Sequence, residues 1–163
     1  MPVKAGNAAA AKPTERTITL TRVFAAPRET VFAAWTDARR IARWWAPNGF
    51  TIPHCEADPR PDGVFTLCMR WADKGDYWMR GHYREVVAPE RLVIVATAYD
   101  AQQMPRLDAV VEVTLSGQAG ETVLTLRTTA RGSGDIAGAM LNGTKEGWNQ
   151  SIDHLERHLA DRP

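Results

Sequence analysis

The stretch "GTKEGWNQSIDHLERHL", Gly143 to Leu159, has the apolar spacing of an amphipathic helix. Its two glycines, Gly143 and Gly147, would lie on consecutive turns, although each helical glycine costs roughly 0.5–1 kcal/mol relative to alanine. The pair therefore indicates a close approach to another element or a cavity mouth. The pattern predicts one long C-terminal helix, whose apolar stripe, in steps of three and four residues, is formed by Leu141, Thr144, Trp148, Ile152, Leu155 and Leu159.

Upstream of this helix, the hydrophobic pattern changes to a period of two. Turn signals divide the span from Phe50 to Arg131 into six predicted strands. Connections this short predict antiparallel neighbours. Apolar residues of one parity predict a sheet with one apolar face. They are Phe65, Leu67, Met69 and Trp71, then Val111, Val113 and Leu115, then Leu124 and Leu126.

The N-terminal third predicts one strand followed by two short helices. The segment "ERTITLTRVF", from Glu15, alternates like a half-buried strand. In "APRETVFAAWT", Pro27 suits the first position of a helix, and Thr36 or Asp37 caps a second helix, "ARRIARWW". The predicted class is α+β, with a curved antiparallel sheet of about seven strands and a long C-terminal helix.

Composition bounds the domain organisation and the partners. The chain has 163 residues, which suits one domain, expected over residues 15–161 after a flexible tail at 1–14. The formal net charge is +1 and basic residues form no block, which disfavours nucleic acid as a partner. The longest apolar run, "LVIVATA", is far shorter than the roughly 20 residues that span a bilayer as a helix, so no membrane insertion is expected.

The two cysteines and the N-terminus favour a reducing compartment. Cys55 and Cys68 lack CxxC spacing, and "MPVKAGNAAAAKPTER" has no apolar core of the kind found in signal peptides. We expect free thiols and a cytoplasmic location.

Several segments in the expected order carry a family resemblance. They are "RVFAAPRETVFAAWTD" from Arg22, "RWWAPNGF" from Arg43, "CEADPRPDG" from Cys55, "GHYREVVAPERL" from Gly81 and "GW" at Gly147. Together they resemble the AHSA1-like family (activator of Hsp90 ATPase homologue 1-like) of the START/Bet v 1-like (SRPBCC) superfamily. The resemblance spans Arg16 to Leu159. It implies a helix-grip fold, with a cavity between the curved sheet and the long helix and two short helices closing one end.

The chain departs from the family pattern at two places. Thr144 stands three residues before "GW", where the family often has a histidine, which weakens any role borrowed from that histidine. The sequence "RPDG" replaces the frequent "RPGG", but Asp62-Gly63 is itself a favoured hairpin turn pair. Asp58 and Arg60 are expected to hold this turn.

The resemblance and the aromatic content predict a small hydrophobic ligand, aromatic or lipid-like, between the sheet and the C-terminal helix. Six tryptophans offer apolar surface with polar edges. The alternative is that the rings and glycines serve only packing, which we favour for Trp35 and Trp44. No cofactor is expected. The predicted ligand-binding residues are Phe65, Met69, Trp71, Tyr99, Met140, Gly143, Thr144, Gly147 and Trp148.

A second hypothesis is an enzyme, because relatives in the superfamily include polyketide cyclases and aromatases. The residues to test are His54 and Glu56, which share one strand parity, and the neighbours His82 and Tyr83. Such side chains are more often on the solvated face of an antiparallel sheet, so a binding protein is favoured over an enzyme.

Two further possibilities carry less weight. His154 and His158 have metal-ligand spacing on the last helix, but without a third ligand nearby they predict no metal site. An Hsp90-type chaperone partner is the weakest hypothesis, because only about fifteen residues precede the first strand, too few for the separate N-terminal domain of the eukaryotic activator.

Overall fold

The computed structural model describes residues 13–161. The predicted tail therefore lies almost wholly outside the described residues, and β1 begins at Thr14. The helices are α1 (Arg28–Thr36), α2 (Ala38–Trp44), α3 (Gly134–Asn142) and α4 (Thr144–Ala160). The strands are β1 (Thr14–Phe24), β2 (Phe50–Ala57), β3 (Val64–Trp71), β4 (Asp76–Val87), β5 (Arg91–Tyr99), β6 (Pro105–Ser116) and β7 (Thr122–Gly132).

The strands form one curved antiparallel sheet in the order β1-β7-β6-β5-β4-β3-β2. Only the β1–β7 pair joins strands that are distant in sequence, and it brings the N-terminal strand beside the last one. The helices α1 and α2 follow β1, and α4 packs its buried residues Ile152 and Leu155 into the main core. The predicted class, the helix-grip fold and the seven-stranded sheet are confirmed.

The C-terminal helix differs from the prediction, because it is broken at Gly143. The Gly143 amide donates to the Met140 carbonyl oxygen at 3.2 Å, which is a bond of the tighter 3₁₀ type. The Gly143 ψ angle of −4° also departs from α-helical values. The Thr144 hydroxyl also donates to the Met140 carbonyl oxygen, at 3.1 Å. Glycine's low helix propensity and this competing side-chain bond explain why one predicted helix becomes α3 and α4.

On the concave face of β5, β6 and β7, the side chains are large at one end of the strands and small at the other. Antiparallel partners lie side by side on the same face, so each row of partners can be read across β5, β6 and β7. One row holds Leu92, Val113 and Leu126, which are fully buried. Four residues further along the strands, the row on the same face holds three alanines, Ala96, Ala109 and Ala130.

The short helices close one end of the core. Asp37 caps α2 by accepting a hydrogen bond from the Arg39 amide at 2.9 Å. The Trp44 indole N–H donates to the Ala34 carbonyl oxygen at 2.8 Å, which joins α2 to α1. Trp35 and Trp44 are fully buried, as expected of core residues. Within residues 13–161, no helix is both long and apolar enough to span a bilayer.

Candidate ligand-binding cavity

A cavity of about 570 Å³ lies between the concave face of the sheet and the α3–α4 bend. Strands β3 to β7 supply one wall, and α3 and α4 supply the facing wall. The loop that follows α2 contributes Trp45 and Pro47, and Phe50 at the start of β2 adds a further ring. This volume falls within the range of small-molecule sites, which is about 300–1,000 Å³.

Small residues on both walls leave space for the cavity. On the sheet side, Ala109 and Ala130 are paired side by side on β6 and β7, and both border the cavity. On the helical side, a Cβ added at Gly147 would meet no heavy atom of residues 13–161 within 4 Å, apart from its chain neighbours and its own helix backbone. A Cβ added at Gly143 would meet only backbone oxygens at ordinary contact distance. The glycines therefore do not serve close packing of the helix on the sheet, and the missing side chain of Gly147 leaves free space.

Tryptophan rings line the end of the cavity next to the core. The rings of Trp45 and Trp148 are 5.1 Å apart in an edge-to-face arrangement. Trp35 stacks behind Trp148 at 6.2 Å, and Phe65 lies 5.1 Å from Trp45. Offset and edge-to-face arrangements are the favourable geometries for aromatic pairs, so this wall is a packed aromatic surface.

A second aromatic cluster borders the cavity where it meets solvent. Phe50 stacks on Trp71 at 5.7 Å, and Tyr77 meets Phe50 edge-on at 6.1 Å. Trp71 is 40% exposed although it lies on the concave side of β3. The Lys74 ammonium group lies 4.9 Å from the Trp71 ring centroid. We refer to Phe50, Trp71 and Tyr77 as the mouth cluster.

Hydrogen bonds attach the loop that carries Trp45 to α4. The Ser151 hydroxyl donates to the Trp45 carbonyl oxygen at 2.6 Å, and both groups are buried. One turn later, His154 Nδ1 donates to the Ala46 carbonyl oxygen at 2.8 Å. The Asn48 backbone N–H donates to Gln150 Oε1 at 2.9 Å. His154 therefore helps to position this loop. Among the residues that the structure describes, no group of three potential metal ligands is found.

The cavity wall carries no Asp, Glu, Lys, Arg or His in the part of the chain that is described. Two of its hydroxyl groups, on Thr144 and Ser151, donate to backbone carbonyl oxygens. The other three hydroxyl groups of the wall belong to Thr128, Tyr77 and Tyr99, and none of the three makes a side-chain hydrogen bond within residues 13–161. The wall is therefore apolar apart from a few neutral hydrogen-bonding groups.

Apart from Phe65, the predicted ligand-binding residues all border this cavity. They are Met69, Trp71, Tyr99, Met140, Gly143, Thr144, Gly147 and Trp148. Phe65 does not: it is fully buried between Trp45 and Tyr83 in the core. Its parity is that of the concave face, but it lies too far along β3 from the cavity.

The four candidate catalytic residues do not reach the cavity. His54 and Glu56 pair with Cys68 and Thr66 on the convex face and are exposed. His82 pairs with Val64 on that same face.

Tyr83 is buried on the concave side, and its hydroxyl donates to the Trp35 carbonyl oxygen at 3.0 Å. Burial, with smaller contributions from Cys55 and Asp58, raises the pKa of the Tyr83 phenol. The requirement of the enzyme hypothesis, that one of these groups point into the cavity, is not met.

Sequence reasoning missed several residues of the wall, notably Trp45, Phe50 and Tyr77. Tyr77 could have been found, because it pairs with Met69 across the β3–β4 hairpin and therefore shares its face. Phe50 pairs with Trp71 and therefore shares its face. The register of β2 shifts between Thr51 and His54, so alternation counted back from the later residues of β2 would assign Phe50 to the opposite face. Trp45 follows α2 and carries no strand periodicity.

Comparison with known proteins gives the same architecture. A protein from Chromobacterium violaceum is 26% identical, with 90% of this chain and 99% of that chain covered and a TM-score of 0.74. A Nitrosomonas europaea protein is 25% identical, covering 88% and 94% of the two chains, with a TM-score of 0.66. An AHSA1 protein from Silicibacter pomeroyi is 24% identical, covering 89% and 98%, with a TM-score of 0.71. No curated protein matches the chain.

The family model described as "Activator of Hsp90 ATPase homolog 1-like protein" matches residues 25–160. This span includes both short helices, strands β2 to β7 and the helices that border the cavity. The chain therefore belongs to the activator of Hsp90 ATPase homolog 1-like family.

Proposed function

We propose that the protein binds a small hydrophobic molecule in the cavity between the sheet and the α3–α4 bend. The observation that carries this proposal is an apolar cavity of about 570 Å³, bordered by Gly147, where an added Cβ would meet no described heavy atom within 4 Å outside its chain neighbours and its own helix backbone. The protein would sequester or carry this molecule. Members of the family share a fold that commonly binds hydrophobic ligands.

The energetics of packing support this proposal. Protein interiors are close-packed, and apolar surface that is taken out of water contributes roughly 25 cal/mol per Å². A leucine in place of Ala109 or Ala130 would fill part of the volume, yet the chain has alanine at both positions. A bound apolar molecule would supply the contacts that these small residues lack.

Calorimetric titration with N-phenylnaphthylamine, a neutral apolar probe, tests this function. Ala109→Leu puts a larger side chain into the cavity and should weaken binding at least about tenfold. Val110→Leu is the matched control, because Val110 is the next residue on β6 and lies on the convex face. No binding to the unmodified protein, or equal affinity for both variants, would count against a site in this cavity.

The geometry does not favour the cyclase or aromatase alternative through His54, Glu56, His82 or Tyr83. Three of these lie on the convex face and the fourth donates its only hydroxyl proton to the backbone. A second candidate function follows from the family description, which names an activator of the Hsp90 ATPase. An Hsp90 ATPase assay with and without the protein tests it, and unchanged activity would remove it.

A further inference from the structure

The charge of the cavity wall restricts the ligand. In the described chain, no ionised side chain borders the cavity. Burying a carboxylate or an ammonium group without a partner costs several kcal/mol, since the group loses its water and gains no counter-charge. An uncharged ligand avoids this cost, and the hydroxyls of Tyr77 and Tyr99 offer it neutral hydrogen bonds.

The shape of the wall favours rings over chains. Trp45 and Trp148 border the cavity beside the core, and the mouth cluster borders it beside solvent. Aromatic pairs in offset or edge-to-face contact contribute about 0.5–1.5 kcal/mol beyond the area they bury. A flat aromatic ligand can make such contacts at both places, whereas an alkyl chain gains only the burial of its surface.

We propose that the ligand is an uncharged, flat aromatic molecule with a hydroxyl or carbonyl group, and that the cavity discriminates against carboxylates and against alkyl chains. This inference rests on the proposed function, because it specifies the ligand class of the same site. It is narrower than hydrophobic binding, since a fatty acid would satisfy the proposed function and contradict this inference.

The main rival is an amphiphile whose carboxylate stays at the cavity mouth. Two cationic side chains lie against aromatic rings that border the cavity and could pair with such a carboxylate. Lys74 sits over the Trp71 ring, and the Arg80 guanidinium lies 4.5 Å from the Trp78 ring centroid and 5.1 Å from that of Tyr99. Both residues are exposed, so their charges are solvated without a ligand and contribute little to holding a carboxylate.

Four probes separate ring from chain and neutral from charged. They are naphthalenemethanol, naphthoate, decanol and decanoate, titrated calorimetrically at pH 7, where both acids are ionised. Naphthalenemethanol is expected to bind at least about tenfold more tightly than naphthoate and than decanol. Amide chemical shifts of Gly147 and of the Trp148 indole should locate this binding in the cavity.

Two variants assign the selectivity to residues. Trp71→Leu removes one ring of the mouth cluster at a position that is 40% exposed. It should reduce the preference for naphthalenemethanol over decanol. Lys74→Gln should leave the affinity for both alcohols unchanged.

Two results would contradict separate parts of this inference. Decanol binding as tightly as naphthalenemethanol overturns the preference for rings. Naphthoate or decanoate binding as tightly as its alcohol overturns the preference for neutral ligands, and a loss on Lys74→Gln or Arg80→Gln would identify the cation. In both cases hydrophobic binding itself would stand. Binding of none of the four probes would overturn this inference, and the proposed function would fall with it only if N-phenylnaphthylamine also failed to bind.

Discussion

The Gly147 amide donates a hydrogen bond of 2.9 Å to the Gly143 carbonyl oxygen, so the two glycines begin and complete the first turn of α4. Gly143 is where the C-terminal helix bends, and Gly147 faces free volume. The two glycines thus have different roles. One interrupts the helix, and the other keeps the cavity wall thin.

Gly147→Ala should raise the free energy of unfolding by roughly 0.5–1 kcal/mol, because alanine has the higher helix propensity and its Cβ meets no atom. Urea denaturation measures the change. Gly81→Ala is the contrasting control and should destabilise, because a Cβ there collides with the Val95 carbonyl oxygen. A Gly147→Ala protein less stable than the parent would show that the site has no room for a side chain.

Ser151→Ala should lower the free energy of unfolding by about 1–3 kcal/mol, because it leaves the buried Trp45 carbonyl oxygen without its donor. It should also loosen the loop that carries Trp45, which near-ultraviolet circular dichroism would detect. The control is Ser116→Ala at an exposed position in β6, where the change should stay within about 0.5 kcal/mol. Equal effects at both serines would contradict the structural role of this bond.

The fold was predictable from the sequence because local pattern and topology agree. Alternation in β3, β6 and β7 marks the concave face, and the short turns between strands leave antiparallel pairing as the simple solution. The break at Gly143 was not predictable from the apolar stripe, since Leu141 and Thr144 keep helical spacing across it. The break depends on the local bond from Thr144 to Met140, which periodicity does not report.

The cavity was predictable only in part. Met69, Trp71 and the α4 residues follow from parity and helical spacing, once the resemblance places a cavity between the sheet and the helix. The alanine row requires the register across three strands, and Phe50 requires knowledge of the irregularity in β2. Phe65 lies in the core outside the cavity, because parity gives the face of a strand and not the position along it.

Tyr83→Phe should separate a structural from a catalytic tyrosine. Loss of the bond to the Trp35 carbonyl oxygen should lower the free energy of unfolding by about 1–3 kcal/mol and leave probe affinity unchanged. Tyr77→Phe should leave the free energy of unfolding unchanged and weaken binding of the naphthalenemethanol probe. The Tyr77 hydroxyl has no partner in the described chain, and Tyr77 borders the cavity. Unfolding curves and calorimetric titrations of the two variants test this. A stable Tyr83→Phe protein with altered ligand binding would contradict the assignment.

The β5–β6 turn depends on a buried carboxylate. Asp100 accepts hydrogen bonds from the amides of Gln102 and Met104, at 2.8 and 3.0 Å, and from Arg106 Nε at 2.6 Å. The Met104 amide, followed by the Arg106 side chain, lowers the pKa of Asp100. The ionised form is therefore favoured in the folded protein.

This lowered pKa fixes the sign of a pH dependence. A carboxyl group whose pKa is lower when folded stabilises the protein above its unfolded value of about 3.9, and this stabilisation is lost as pH falls through the folded pKa. Asp100→Asn should therefore destabilise at pH 7, and its difference from the parent should shrink at pH 3. Asp73→Asn, in an exposed turn, should change little at either pH. A difference that stays constant from pH 7 to pH 3 would mean that the charge of Asp100 does not stabilise the turn.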